Sequence, residues 1–329
     1  MGGQLIKQVH KFFGSSKNYA GIRGININKI LMKEIEKYDV KILSNSTLYQ
    51  VYGNKLGIIE NNNTQWITAE KIILCCGASE KSIVFPGWTL PGVMGAGGVQ
   101  TLINIYRVLP GNRFLMVGSG NVGLVVAYQI LQAGAEVVSL VEALPTIGGY
   151  GVHASKIRRL GIPILTSHTV LEAHGDERVE EATIIEVDKK WKPVPDSEIT
   201  LDVDIICMAV GLKPNIELPL MLGCKTHYIP NLGGRVPLHN ENMETTVEGI
   251  YVAGDIAGVE EVDIAIETGK LAGIDAVEKL NYIETDESTH LKKEILKNLD
   301  NLRSGLFGDA KRKGKDDIIQ MIKKVKRGD

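Results

Sequence analysis

Phe114-Leu115-Met116-Val117-Gly118-Ser119-Gly120-Asn121-Val122-Gly123 is the stretch from which the rest of the chain is read. Its four leading apolar residues predict a buried strand that stops at Gly118. The apolar run beginning at Asn121 predicts a helix over 121–133. Each glycine has a task in such a strand–turn–helix. Gly118 permits the tight turn, Gly120 lets the backbone approach a pyrophosphate with no Cβ in the way, and Gly123 lets the helix pack closely on the strand. The helix start, Asn121 and Val122, offers N–H groups and a partial positive charge to phosphates. A second strand, 136–142, ends at Glu142, 22 residues beyond Gly120. A carboxylate there accepts hydrogen bonds from both ribose hydroxyls of an adenosine and repels a 2′-phosphate. The following Ala143-Leu144-Pro145 supply no arginine. The unit reads as a site for NAD or another adenine nucleotide, with NAD favoured over NADP. The competing reading is a glycine-rich turn in an unrelated α/β sheet.

Outward from this unit, the periodicity predicts a helix over 28–38 and short strands at 40–43, 47–52, 56–60, 65–67 and 71–76. Residues 85–98 read as a loop, because they hold Pro86, Gly87, Pro91, Gly92, Gly95, Gly97 and Gly98. Past the central unit come a helix over 151–160, strands near 163–166, 169–174, 182–188, 199–201 and 203–210, a strand over 249–253 and a helix over 263–280. Such β/α alternation predicts parallel sheets with helices on both faces. Residues 286–329 read as a charged helical tail, 12 Lys+Arg against 8 Asp+Glu. Mixed sign without aromatic interleaving marks it as a solvated face or a docking arm for a partner subunit.

The 329 residues carry 37 Lys+Arg and 39 Asp+Glu, with 44 % apolar residues. That composition excludes a disordered chain and a disulfide-stapled miniprotein. Near-zero net charge speaks against a dedicated nucleic-acid binder. No run reaches the ~18 apolar residues of a membrane span. Cys75, Cys76, Cys207 and Cys224 form no C-x-x-C pair, which fits free thiols in a reducing cytoplasm. The histidines show no ligand spacing, so no metal is assigned.

Three further constellations are strand exits. Thr246-Val-Glu-Gly-Ile-Tyr-Val-Ala-Gly254-Asp255 delivers one carboxylate at a strand tip, the edge where open α/β sheets bind ligands. Asp255 there can hold a polyol chain; a helix N-cap is the plainer reading. Ile72–Leu74 runs into Cys75-Cys76-Gly77-Ala78, and Ala209-Val210-Gly211-Leu212-Lys213-Pro214-Asn215 closes the central unit.

In this order the four constellations resemble the flavin- and NAD-binding family with two dinucleotide-binding domains, the thioredoxin-reductase-like group of pyridine nucleotide oxidoreductases. Gly2-Gly3-Gln4-Leu5, His10-Lys11-Phe12-Phe13-Gly14, 85–93, Val141-Glu142-Ala143, 147–151 and Gly223-Cys224-Lys225 resemble more closely the alpha or A subunits of heteromeric sarcosine oxidase, dye-linked L-proline dehydrogenase, opine oxidase and hydrogen cyanide synthase. The resemblance implies two Rossmann-like domains. An NAD-type domain, 110–213, is inserted into a discontinuous FAD-type domain, 1–109 and 214–285, followed by the tail. It implies FAD contacts at Gly2, Gly3, Gln4, Cys76, Gly77, Ala78, Gly254 and Asp255, and nucleotide contacts at Gly118, Gly120, Asn121, Val122, Gly123 and Glu142. It also implies a helix N-terminus near 260–263 at the flavin's pyrimidine edge, with Glu260 and Glu261 as first-turn acids.

Two departures from the pattern are instructive. Gly95–Thr101 contains no cysteine, so no dithiol relay is expected, as in the amine-dehydrogenase subunits. The family's first GxGxxG βαβ unit, which cradles the FAD pyrophosphate, is absent ahead of Gly2. The pattern therefore implies a fragment, a misassigned start, or a second polypeptide that supplies the unit. The expected activity is flavin- and NAD-type oxidoreduction, electron handling for companion dehydrogenase subunits that oxidise a small amine or amino acid. The alternatives are a self-contained NADH-dependent flavin reductase and a non-catalytic nucleotide-binding subunit. No general base is assigned; His10 and Lys11 are the nearest titratable groups by resemblance, with surface or capping roles as the plainer reading.

Overall fold

The computed structural model describes residues 1–305 and 308–327. The parts of the expected tail at 306–307 and 328–329 lie outside the described residues. Packing divides the chain into two units, Met1–Val40 with Glu80–Gly211, and Lys41–Ser79 with Leu212–Asp329.

The first unit holds α1 (Gly24–Ile35), α2 (Ala96–Thr101), α3 (Asn121–Gln132) and α4 (Gly151–Arg159). Its centre is a five-stranded sheet in the order Val93–Gly95, Ile205–Met208, Arg113–Val117, Glu136–Glu142, Ile164–Thr166. Every neighbouring pair in it is parallel. Side chains alternate along Arg113–Val117, so its two faces feed two cores. Phe114 and Met116 pack with Leu124, Ala127 and Ile130 of α3 and Ile157 of α4. Leu115 and Val117 pack instead with Val170, Ala182 and Ile184. Those last residues belong to an antiparallel sheet, His168–His174, Glu181–Glu186 and Ile199–Asp202. Helices therefore cover one face and a β-sheet the other, where helices on both faces were expected.

The second unit contains an antiparallel meander of Ser46–Tyr52, Lys55–Glu60 and Asn63–Thr68, and a parallel pair of Ile72–Leu74 and Ile250–Val252. Its helices are α5 (Glu217–Met221), α6 (Val262–Lys279), α7 (Thr285–Leu302) and α8 (Asp309–Arg327). One core joins Ile72, Leu74 and Tyr251 to Leu271 and Ala272 of α6 and Leu299 of α7. Asp275 ties α6 to α7, accepting from Lys292 Nζ at 2.5 Å and from Tyr251 Oη at 3.0 Å.

Three expectations are corrected here. Residues 40–43 form no strand; Val40 and Ile42 alternate as a strand would, but no partner edge pairs with them. The 85–98 loop contains the strand Val93–Gly95 and the start of α2, despite Gly97 and Gly98. Burial of Ala96 and Val99, both fully buried, and a hydrogen bond from Gly97 N to Glu80 Oε1 at 2.6 Å hold this helix against its glycine content. The tail is not a solvated arm. Ile318 and Ile322 of α8 are buried with Leu232, Val236 and Leu238 of the same unit.

Candidate functional site

The glycine turn has the steric form its sequence required. Gly118 sits at φ 104°, and a Cβ on it would lie 2.4 Å from Ala209 O. A Cβ on Gly123 would lie 2.1 Å from Gly118 O, so α3 reaches its strand only because that position is bare. Gly120 differs. Its φ is −63°, and a Cβ there would meet nothing within 4 Å. The space over Gly120 is open.

Glu142 closes the turn from the neighbouring strand. Its Oε2 accepts from Ser119 N at 2.9 Å and Ser119 Oγ at 2.6 Å, and its Oε1 from Leu144 N at 3.0 Å. Ser119 is fully buried. The segment after Glu142 folds back on the same turn. Gly148 N donates to Ser119 Oγ, Gly149 N to Ser119 O and Tyr150 N to Asn121 Oδ1, at 2.8–2.9 Å. Gly118, Gly120, Asn121, Gly123 and Glu142 thus meet at one sheet edge, while Val122 is exposed beside them, 45 % accessible. The backbone clamp from Gly148–Tyr150 was not anticipated; the Gly148-Gly149 pair after the acidic strand end was its trace in the sequence.

The second unit brings together Cys76–Ala78 and Gly254-Asp255. Val252 is in register with Leu74, and Ala253 N donates to Leu74 O at 3.0 Å. Gly77 and Asp255 both lie three residues past that register pair, at the C-terminal end of the two strands. Asn215 organises the first turn: its N donates to Gly77 O and its Nδ2 to Cys76 O, both at 3.0 Å, and Ser79 Oγ donates to its Oδ1 at 2.6 Å. Gly77, at φ 70°, has open space where a Cβ would stand. Gly254 N donates to the buried Thr268 Oγ1 at 3.0 Å. Asp255 Oδ1 accepts from Glu260 N at 3.4 Å, and its other oxygen takes no hydrogen bond among the described residues. Burial pushes the Asp255 carboxyl up from its usual range, against the Glu260 N–H and Lys311. A carboxylate with an open oxygen and a bare Gly77 backbone fit a polyhydroxyl chain.

Behind Asp255 lies a charged cluster that sequence reading missed. Glu260 and Glu261 precede α6 instead of forming its first turn, and Glu261 is its N-cap. Glu260 accepts from Arg303 Nε at 2.7 Å and Nη2 at 2.8 Å, with Lys315 Nζ 3.4 Å away. Burial pushes the Glu260 carboxyl up, but Lys315 and Arg303 outweigh it and hold it at about 2. Burial lowers Lys315 to about 8 against the pull of Glu260, and its Nζ donates to Ala257 O at 2.6 Å. His239 is pushed to about 3 by burial and by Lys315. The apolar spacing of Ile318, Met321, Ile322 and Val325 was the available signal that this helix packs inward.

Gly2, Gly3 and Gln4 belong to the first unit, at a short 3-10 turn with Gly3 and Gln4 exposed. His10 stacks at 5.0 Å on Phe12, and burial, then His153 and Lys156, lower it to about 4. It is neutral at pH 7. Lys11 is exposed and bridges to Arg23 through the backbone. No helix among the described residues is long and apolar enough to cross a membrane.

The sequence profile described as "Pyridine nucleotide-disulphide oxidoreductase" matches residues 7–269. The chain belongs to the pyridine nucleotide-disulphide oxidoreductase family. Among curated members, the hydrogen cyanide synthase subunit HcnB of Pseudomonas aeruginosa is 28 % identical over 287 residues, covering 78 % of this chain and 61 % of that protein. The A-type subunit of opine oxidase from Rhizobium meliloti is 28 % identical over 247 residues, covering 66 % of this chain and 52 % of that protein. The chain thus spans between half and two thirds of the length of these relatives. In fold it is similar to the thioredoxin reductase of T. acidophilum, with a TM-score of 0.67 at 20 % identity over 84 % of this chain and 87 % of that one. The family's α/β architecture, a parallel sheet with helices and added C-terminal helices, is the one found here.

Proposed function

We propose that this chain is the electron-handling subunit of a heteromeric flavin- and NAD-type oxidoreductase that acts on a small amine or amino acid with companion dehydrogenase subunits. The observation that carries the reading is the sequence of the α2 segment. Gly95–Thr101 holds glycines, alanine, valine, glutamine and threonine where a dithiol-using reductase needs a cysteine pair. Electrons therefore have no thiol relay through this segment. The names of the two curated relatives, each a subunit of a larger enzyme, support the partner half of the proposal.

In this reading, residues 110–213 form the NAD-type domain, and 1–109 with 214–285 the FAD-type domain. Gly120 leaves room for a pyrophosphate, and Glu142 stands at the strand end where an adenosine ribose would lie. Cys76–Ala78 and Gly254-Asp255 would hold FAD, whose isoalloxazine supplies two-electron chemistry when bound. Asp255 accepts from a ribityl hydroxyl through its open oxygen. The start of α6 directs a partial positive charge toward the bound group. Four free cysteines fit a reducing cytoplasmic setting.

The test is the visible spectrum of the complex co-expressed with its companion subunits, together with calorimetric titration of NAD and ADP into this chain. Flavin bands near about 370 and 450 nm and saturable nucleotide binding are expected. A flavin-free complex that still binds nucleotide would replace the proposal with a non-catalytic nucleotide-binding subunit. Robust NADH–dye turnover by this chain alone would replace it with a self-contained reductase.

A further inference from the structure

The turn that carries Asp255 is gripped by a side chain of the last helix. Residues Gly254–Ala257 form a 3-10 turn, which Gly258 N closes by donating to Asp255 O at 3.1 Å. Its start is fixed by Ala253 N, which donates to Leu74 O, and by Thr268 Oγ1, which accepts from Gly254 N at 3.0 Å. Its end is fixed from α8. Ala257 is fully buried, and its carbonyl accepts from Lys315 Nζ at 2.6 Å. The same ammonium stands 3.4 Å from the carboxylate of Glu260, whose backbone N donates to Asp255 Oδ1. One cation thus fastens the chain two residues past Asp255 and the residue that orients the Asp255 carboxylate.

Packing does not account for a lysine at this position. Lys315 lies three and seven residues before Ile318 and Ile322 and continues their buried stripe. A buried ion pair adds little stability over an apolar residue of similar volume. The groups facing the ammonium are the carboxylates of Glu260 and Asp255, the guanidinium of Arg303 from α7 and the neutral ring of His239, with Lys311 on α8 itself acting on both carboxylates. Burial, with Arg303, lowers Lys315 to about 8, although Glu260 and Asp255 pull it up.

We propose that Lys315 is a positioning residue for the polyhydroxyl ligand of Asp255. By holding Ala257 O and Glu260, it keeps one Asp255 oxygen on Glu260 N and the other free for a ligand hydroxyl. The inference rests on the reading of Asp255 as a ribityl contact. It makes α8 a clasp on the ligand turn, tight while Lys315 is charged and loose when it is neutral.

Two measurements test it. In the ligand-free chain, Lys315→Met should speed amide exchange across 254–260 and leave the strand Arg113–Val117 unchanged. In the complex with its companion subunits, FAD affinity followed by flavin fluorescence should fall about tenfold or more between pH 7 and pH 9.5, the range spanning the loss of the Lys315 proton. Lys315→Arg should flatten that profile. At pH 7, Lys315→Met should weaken FAD by about tenfold or more, the loss of one hydrogen bond from a charged group, but by no more than about twofold in an Asp255→Ala background, because the two residues act as one. Unchanged exchange at 254–260, a wild-type affinity that is flat to pH 9.5, or losses from Lys315→Met and Asp255→Ala that simply add overturn the proposal. The wild-type profile decides even where Lys315→Met does not fold. Asp255→Ala with full FAD affinity overturns the ribityl reading itself, and this inference with it.

Discussion

Glu142 Oε2 stands 2.6 Å from Ser119 Oγ and 2.9 Å from Ser119 N, so the tip of one strand is fastened to the turn leaving the next. Ser119 Oγ passes the constraint on by accepting from Gly148 N. Ser119→Ala removes both hydroxyl contacts inside a fully buried site. It should lower stability by about 1–3 kcal/mol, measured by urea unfolding. Ser119→Thr retains the hydroxyl and should separate the lost hydrogen bonds from any packing defect.

The three glycines of the turn should respond differently to the same methyl group. Gly123→Ala drives a Cβ to within 2.1 Å of Gly118 O and should cost ~3 kcal/mol or more, as other overpacked backbone contacts do. Gly120→Ala meets nothing and keeps an ordinary φ, so its unfolding midpoint should match wild type. Its affinity for ADP should nonetheless fall, because the new Cβ enters the proposed phosphate space. Equal ADP affinity in Gly120→Ala and wild type would remove that assignment.

Ile318 decides between a packed helix and a solvated tail. It is fully buried against Leu232 and Val236, so Ile318→Ala should destabilise the protein by about 2–5 kcal/mol. Lys313→Ala, at an exposed position of the same helix, should change stability by no more than ~0.5 kcal/mol. Thermal and urea unfolding of the two variants side by side provide the check.

Acid should weaken the second unit through two groups whose effects on stability run in the same direction. Glu260 is held at about 2 when folded, below its ordinary 4.5, so the stability it contributes is present above 4.5 and is lost as pH falls toward 2. His239 is held at about 3, below 6.5, because burial disfavours its charged form. The unfolded chain binds that proton first, so stability is also lost as pH falls from 6.5 toward 3. His239→Gln should flatten the upper part of this acid limb in unfolding experiments across pH 3–7. Glu260→Gln strands Arg303 and the buried Lys315 without their carboxylate and should cost about 3–5 kcal/mol at pH 7.

The strand–turn–helix around Gly118 was legible because its cause is local. Backbone sterics alone demand bare positions at 118 and 123, and those demands are written in consecutive residues. Glu142 was legible as the acid ending the next strand, but not its attachment to Ser119, which depends on how two strands pair. The helix at Ala96 was hidden for the opposite reason. Gly97 and Gly98 speak against it locally, and the side chain that holds its first turn, Glu80, lies 17 residues away. In α8, the many charges of the tail masked a stripe of apolar residues at 318, 321, 322 and 325. Lys315 looked like one more surface cation, although it is 3 % exposed. What pairs it, Glu260, is 55 residues upstream, a distance over which no periodicity reports.

The polypeptide passes between its two packed units at 40/41, 79/80 and 211/212. During translation, everything the first unit requires has left the ribosome once Gly211 has emerged. Residues 41–79 must meanwhile wait, with Ile72 and Leu74 lacking the strand at 250–252 until more than a hundred further residues are made. Domains that finish at different times expose their unfinished apolar strands to aggregation. The segment from 41 to 79 is accordingly where a nascent chain of this protein has most need of a chaperone.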